Sequence, residues 1–399
     1  MALQIRKGYK YRLKTNCATR AKFVRFAGAC RFVWNKLLAL NEGRYLAGIP
    51  RLSYNDAAGL LRLWKQSEEY GWLTSVHSQV LQQCLIDLER AYANLFAGRA
   101  APPQYRKKFL ADSFRYPQGF KLDKCKVYLP KMGWVEFWHS REIAGTVKNV
   151  TISRQGTHWF VAFQVEQDVP EPVHPATAEV GIDLGVATFA AFSDGRLHPP
   201  LNAYRCVEAK KARMQQKLAG MVHYSQNWKK QQGRIAKLAI RIANCRHDFL
   251  HKLSTETSKN HAVICLEDLQ VKNMTRSARG TVEEPGRNVA AKAGLNKAIL
   301  DQGWGLFRRM LEYKQTWRGG EVLAVNSRYT SQTCPECGHG SKANRSQQAL
   351  FSCEQCGYSY HADVVAARNI LARGQRERLN ACLPPEGQQE PGFPGILAL

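Results

Sequence analysis

Cys334-Pro335-Glu336-Cys337 and Cys353-Glu354-Gln355-Cys356 are two C-x-x-C pairs with fifteen residues between them. Two thiolates three residues apart at a tight turn grip one metal ion from the same side. A second pair, carried back by a short hairpin, completes a tetrahedral four-sulfur shell. Gly338 and Gly357 follow the second cysteine of each pair, where such a turn favours a residue that tolerates positive φ. The pattern predicts a structural zinc ribbon over about 329–358, with one Zn²⁺ on Cys334, Cys337, Cys353 and Cys356 and no ligand position open for catalysis. Seven residues past Cys356, Asp363 opens a helical pattern that continues through Val364, Ala367, Ile370 and Leu371.

Two apolar runs upstream of the ribbon also end in an acid. Val180-Gly181-Ile182-Asp183-Leu184-Gly185 carries Asp183 at the end of a buried-strand run, and Val263-Ile264-Cys265-Leu266 ends at Glu267. A carboxylate there is costly to bury unless it is paired or binds a metal. Singly, each acid also fits a strand-end residue that faces solvent or caps a helix. Together, two strand ends and one helix start bring Asp183, Glu267 and Asp363 to one point. Such a cluster repels itself and calls for divalent metal; two Mg²⁺ ions there would activate a water and stabilise the leaving oxygen of a phosphodiester. Asp268 points to the opposite side of its strand from Glu267, and Asp194, before Gly195, reads as a hairpin residue.

The charge balance points the same way. With 58 Lys+Arg against 32 Asp+Glu, the formal charge of the 399-residue chain is +26, and so large an excess favours a polyanionic partner, nucleic acid above all. Eleven Lys/Arg and a single acid, Glu208, lie between Arg205 and Arg246. There Ile235, Leu238, Ile242, Cys245 and Phe249 trace a buried stripe, and Arg234, Lys237 and Arg241 a separate basic one suited to phosphates. Of the twelve cysteines, eight are scattered singly, which argues against a secreted disulfide framework. Met1 to Lys14 has no apolar signal-like core and no run approaches a membrane span, so a cytosolic protein without a membrane partner is expected.

The length allows two to four domains. Short strands at 5–13, 127–129, 134–137, 147–152 and 158–165 predict a β-barrel-like domain over 1–168, with a helical insert at about 17–100. Its first helix places Phe23, Phe26, Cys30, Val33 and Leu37 on one stripe. A Pro-rich linker is expected at 169–177. An α/β domain follows over 178–372, with strands at 179–184, 187–193, 262–266 and 321–325, a long helix from Tyr204 to about Lys259, and another from about Asn296 to Arg318. Residues 373–399, rich in Pro, Gly and Gln, are expected to be a loose tail.

In order, Gly181-Ile182-Asp183-Leu184-Gly185, Ile264-Cys265-Leu266-Glu267-Asp268-Leu269, Thr330-Ser331-Gln332-Thr333-Cys334-Pro335-Glu336-Cys337 and His361-Ala362-Asp363-Val364-Val365-Ala366-Ala367-Arg368-Asn369-Ile370 resemble the TnpB (OrfB) proteins of bacterial and archaeal insertion sequences. Cys30-Arg31-Phe32-Val33-Trp34-Asn35 and Glu283-Glu284-Pro285-Gly286 extend the resemblance to nearly everything except the tail. It implies a barrel with a helical recognition insert, then an RNase H-like RuvC nuclease fold interrupted by the ribbon, as in small type V CRISPR effectors. It also implies RNA-guided cleavage of double-stranded DNA beside a short flanking motif, by a monomer with guide RNA from the element's own end. Asp183, Glu267 and Asp363 match the family's catalytic acids. Motif reading falls by resemblance on the helix from Gln79, including Gln83, and on Arg115 and Gln118; Gln and Arg side chains can bond base edges. A catalytically silent RNA/DNA-binding regulator on the same scaffold is the alternative, and a DNA-joining transposase, for which no tyrosine or serine nucleophile motif is present, is a third reading.

Overall fold

Alternating large and basic residues near the N-terminus form a long strand, β1 (Ala2–Arg12), of a protein described here from a computed structural model over residues 2–108, 112–281, 283–326 and 328–382. The chain divides into two units, Met1–Pro170 and Glu171–Leu399.

In the first unit, three helices follow β1. They are α1 (Cys17–Leu46), capped by the Asn16 side chain, α2 (Tyr54–Gln66), opened by a Ser53–Asp56 capping box, and α3 (Ser78–Phe96). The α1 stripe Phe23, Phe26, Cys30, Val33 and Leu37 is buried throughout. α3 starts at Ser78, after Gly71–Ser75 closes as a 3₁₀ turn. The strands are β2 (Ser113–Tyr116), β3 (Lys121–Asp123), β4 (Lys126–Leu129), β5 (Gly133–Glu136), β6 (Thr146–Gln155) and β7 (His158–Pro170). They form two antiparallel sheets, β1-β7-β6-β2 and β3-β4-β5. The sheets join where Leu13 bridges Phe137 and the Trp138 N–H donates to the Arg12 carbonyl at 2.9 Å. Phe23 of α1 packs on Trp159 of β7 with ring centroids 5.1 Å apart. β7 overruns the expected linker start: Pro170 still pairs with Ala2, at a strand end where a missing N–H costs no ladder bond.

The second unit is built on a five-stranded mixed sheet. Its strands are β8 (Glu179–Leu184), β9 (Ala190–Phe192), β10 (Leu197–His198), β11 (Val263–Glu267) and β12 (Glu321–Val325), in the order β10-β9-β8-β11-β12. β8, β11 and β12 run parallel; β8 and β11 are apolar on both faces because helices cover both, while the edge strand β12 stays partly exposed. Ile264 and Leu266 meet α5 (Gln226–Asn260), α7 (Val289–Gln302) and α8 (Trp304–Thr316) through Leu250, Ile299 and Phe307. Val263 and Cys265 meet α9 (Ala362–Cys382) through Ile370. A short helix α4 (Glu208–Ala219) precedes α5, and a single turn, α6 (Val271–Met274), follows β11.

Four expectations change here. The single helix from Tyr204 to Lys259 is two, α4 and α5, with Ser225 restarting the second as its N-cap. The helix expected over 296–318 is likewise two, broken at Gly303, whose φ of +77° leaves the helical region. The expected stripe on α5 is buried only at Ile242; Ile235, Leu238 and Phe249 are half-buried and Cys245 is exposed, since the helix meets the core mainly through its C-terminal half, Leu250 to Ser258. Finally, α9 continues ten residues past 372, as far as Cys382; the rest of the expected tail, 383–399, lies outside the described residues. Among the described residues no helix is long and apolar enough to cross a membrane.

Candidate carboxylate and metal centres

The parallel register sets the first two acids. Ile182 pairs with Leu266, so Asp183 and Glu267, the next residues on β8 and β11, stand side by side at the carboxyl end of the sheet. α9 brings the third. A Cβ at Gly181 would run into the Ala367 carbonyl and reach 2.8 Å from the Leu371 Cβ, so glycine there lets α9 lie directly on β8 and places Asp363, in its first turn, beside the pair.

The Asp183 and Glu267 side chains share a hydrogen bond. Burial, then the nearby Asp183 charge, pushes Glu267 up to about 9. Burial raises Asp183 to about 6 against the hydrogen bond from Glu267; the Asp363 charge adds to the rise and Arg345 opposes it. Both carboxyls are therefore held above the ordinary carboxylate range, Glu267 the higher of the two. Three carboxyls from three elements thus face one region, although among the described residues only the quartet Cys334, Cys337, Cys353 and Cys356 brings its ligand atoms within 4.8 Å of one another. Asp268 turns away from them to Arg308, 2.6 Å distant, and Asp194 holds its hairpin by accepting from the Arg196 N–H.

The ribbon reaches into this centre through a residue that sequence reasoning did not single out. Arg345 donates to Asp363 at 3.0 Å and to the Gln348 carbonyl at 2.8 Å. Two further residues root the ribbon on α9. The Asn369 amide donates to the Thr330 and Thr333 carbonyls, both at 2.7 Å, and Arg368 donates to the Tyr358 hydroxyl at 2.6 Å. Only His361-Ala362-Asp363-Val364-Val365-Ala366-Ala367-Arg368-Asn369-Ile370, as a motif, hinted that these side chains matter.

Cys334, Cys337, Cys353 and Cys356 come together with all four sulfurs within 4.8 Å of one another, the tightest set of metal-ligand atoms among the described residues. Each pair forms the same turn: the Gly338 N–H donates to the Cys334 carbonyl and the Gly357 N–H to the Cys353 carbonyl, both at 3.0 Å, and both glycines sit at φ +75°. The short strands β13 (Leu350–Ser352) and β14 (Ser359–His361) carry the second pair. The Cys356 N–H, with that of Gln355, aims at the Cys353 sulfur and draws its thiol down to about 6, readying it as a thiolate. The quartet fits one tetrahedral zinc ion.

The residues expected at nucleic acid are less uniform. Arg234, Lys237 and Arg241 are all exposed on α5, and Gln118 is exposed after β2. Gln79 sits beside the same turn, its Oε1 3.9 Å from where a Cβ on Gly119 would lie. Gln83, in contrast, is buried and donates to Asp87 at 3.0 Å, and Asp87 lies 3.8 Å from Arg115. Gln83 is thus spent inside the unit, while Gln82 faces outward.

A carboxyl trio at the end of a mixed sheet and a four-cysteine ribbon rooted on the same helix define an α/β unit with one metal-type cysteine centre and a separate carboxyl cluster. Three families match the chain: "Probable transposase" over residues 162–278, "Cas12f1-like, TNB domain" over 304–370, and "Helix-turn-helix domain" over 1–50. The last label does not describe the geometry, since 1–50 is one strand and one 30-residue helix. InsQ of Escherichia coli (strain K12), named as an RNA-guided DNA endonuclease, is 50% identical over 368 residues, 92% of either chain. A Streptomyces pristinaespiralis protein of the same description is 32% identical over 94% of this chain and 90% of its own. Among solved structures, the Cas12f1–sgRNA–target DNA complex matches in fold with a TM-score of 0.51 at 13% identity, over 92% of this chain and 98% of that one. The chain belongs to the TnpB (OrfB) family.

Proposed function

We propose that this protein is an RNA-guided, divalent-metal-dependent DNA endonuclease encoded by a transposable element, cutting double-stranded DNA beside a short flanking motif. The observation that carries the reading is the half-buried, hydrogen-bonded Asp183–Glu267 pair with Asp363 beside it. Like charges this close do not both ionise unaided, and a carboxyl pair kept at a sheet's carboxyl end has little structural use. The names of the two extended relatives support the same activity. Strand order β10-β9-β8-β11-β12 suits an RNase H-like RuvC domain, and the two joined sheets of the first unit suit its barrel.

In this reading Asp183, Glu267 and Asp363 would hold two Mg²⁺ ions. When bound, Mg²⁺ supplies the positive charge that lets all three carboxyls ionise and offsets the charge developing on a phosphodiester. The chain's own contribution is placement: β8 and β11 fix two carboxyls in register, and α9, drawn in over Gly181, fixes the third. Arg234, Lys237 and Arg241 bind phosphates without reading sequence. Gln79, Arg115 and Gln118 read the flanking motif, and base pairing by the guide RNA supplies the rest. One zinc ion holds the ribbon. A cytosolic location and one protein chain per guide RNA go with this reading.

The test is to purify the protein with its co-expressed RNA and offer plasmids carrying a guide match beside a library of flanking sequences. Mg²⁺-dependent cuts that vanish in Asp183→Ala, Glu267→Ala and Asp363→Ala are expected. Full cutting by Asp183→Ala would sink the site, and binding without cutting by the unmodified protein would replace the nuclease with a silent regulator.

A further inference from the structure

We propose that the turn between α4 and α5 is a docking point for unpaired bases of RNA, an inference that rests on the guide-RNA reading above and adds a contact to it. The turn gathers three aromatic side chains. The His223 ring lies 4.2 Å from that of Tyr224 and 4.6 Å from that of Trp228, and the Tyr224 and Trp228 centroids are 5.5 Å apart. Tyr224 is 68% exposed, Val222 beside it 79%, and His223 is exposed over a half-buried Trp228. Tyr224 also holds a φ of +62°, a region a bulky residue rarely adopts. Apolar surface and strain concentrated at a helix-hairpin tip point to a partner that covers it.

The arms say what kind of partner. α4 buries no residue of its own and, of its apolar residues, keeps only Met214 and Leu218 half-buried, a narrow stripe that leaves most of the helix surface open. Its register against α5 is nonetheless set, because the buried Gln231 amide donates to the Met214 carbonyl at 3.0 Å. Lys217, Lys229 and Lys230 are exposed within a few residues of the turn and take part in no ion pair among the described residues. Glu208, the one acid between Arg205 and Arg246, is already held by Lys297 at 2.8 Å. Aromatic faces flanked by free cations suit a strand whose bases are open and whose phosphates run alongside. Base-paired duplex hides its base faces, and target DNA leaves between turnovers, whereas a guide RNA stays bound and keeps the tip covered. The occupant is therefore an unpaired stretch of RNA.

Binding of the full-length protein to a fluorescein-labelled oligoadenylate RNA tests this, with a blunt RNA duplex and an oligodeoxyadenylate as comparisons. Trp228 emission should be quenched on binding the single-stranded RNA. Tyr224→Ala should weaken that binding at least about fivefold, the low end for one stacked base, while leaving its salt dependence and duplex binding unaltered. Tyr224→Phe, which keeps the ring, should bind as the unmodified protein does. Lys229→Ala with Lys230→Ala should instead lower the salt slope by about 1.4. Equal binding by Tyr224→Ala, an equal loss on duplex, or tighter binding of the DNA strand would overturn the docking point and leave the guide reading standing. An unmodified protein that binds no RNA would bring down both.

Discussion

Arg345 and Asp363, eighteen residues apart across the ribbon, form an ion pair at 3.0 Å, so a side chain of the zinc module neutralises one corner of the carboxylate centre. A divalent cation taken up by Asp363 has to displace or outcompete that guanidinium. Arg345→Ala should therefore bind Mn²⁺ more tightly by calorimetry, by about 1.4- to fivefold, the factor that corresponds to the ~0.2–1 kcal/mol of a partly exposed pair. Unchanged or weaker binding would show that Arg345 does not compete with metal.

Glu267 carries a pH signature. Between its ordinary 4.5 and about 9 it binds more protons folded than unfolded, so the metal-free protein should be most stable below that window and lose stability as pH rises through it. Asp183, raised in the same direction, adds to the slope. Thermal melts in chelator should show Tm falling with pH over this range. Glu267→Gln, which keeps a donor to Asp183 and removes the charge, should flatten the curve; an unaltered slope would mean the pair is not what titrates.

Much of this centre was legible in sequence, for identifiable reasons. Continuous apolar runs set β8 and β12 at their expected limits, and the acids at the ends of β8 and β11 stood out because the strands they close are buried on both faces. The cysteine spacing carried the ribbon because metal geometry constrains it. Arg345 was not legible, since one arginine in a basic polar loop looks like any other and its partner is set by the fold of the ribbon. Nor was Lys314: a lysine in a helix pattern reads as surface, yet it is buried and donates to Ser254, Thr255 and the His251 carbonyl. The helix breaks at Gly303 and before Ser225 were missed because apolar periodicity continued across them.

The zinc quartet should behave as a folding element. Four-thiolate sites bind with ~10–16 kcal/mol, so Cys334→Ser or Cys353→Ser should lower zinc content from one equivalent and open the ribbon to proteolysis. Full zinc content by elemental analysis in either variant would argue against the four-sulfur site.

Gly181→Ala tests the close approach of α9. The added methyl meets the Ala367 carbonyl and Leu371, so a loss of about 1–3 kcal/mol in urea unfolding is expected, with DNA cutting impaired by the displacement of Asp363. Wild-type stability would mean that α9 is not pinned there.

Gln83 and Gln118 should separate in a flanking-motif library. Gln118→Ala is expected to relax the preferred motif, whereas Gln83→Ala, removing a side chain already engaged with Asp87, should leave the preference intact and cost stability instead. A changed motif with Gln83→Ala would reverse that assignment.

The Asn369 amide, bonded to Thr330 and Thr333 from two turns below Asp363, gives the ribbon a mechanical meaning. A module inserted between a strand and a helix is usually a cassette, exchangeable so long as its two ends meet. Here the helix that receives the ribbon also grips its root, so a tug on the zinc knuckle is felt along α9 at the carboxylates. The 338–352 connection is tied in as well, since its Arg345 pairs with Asp363, so swapping the insert would detune the centre.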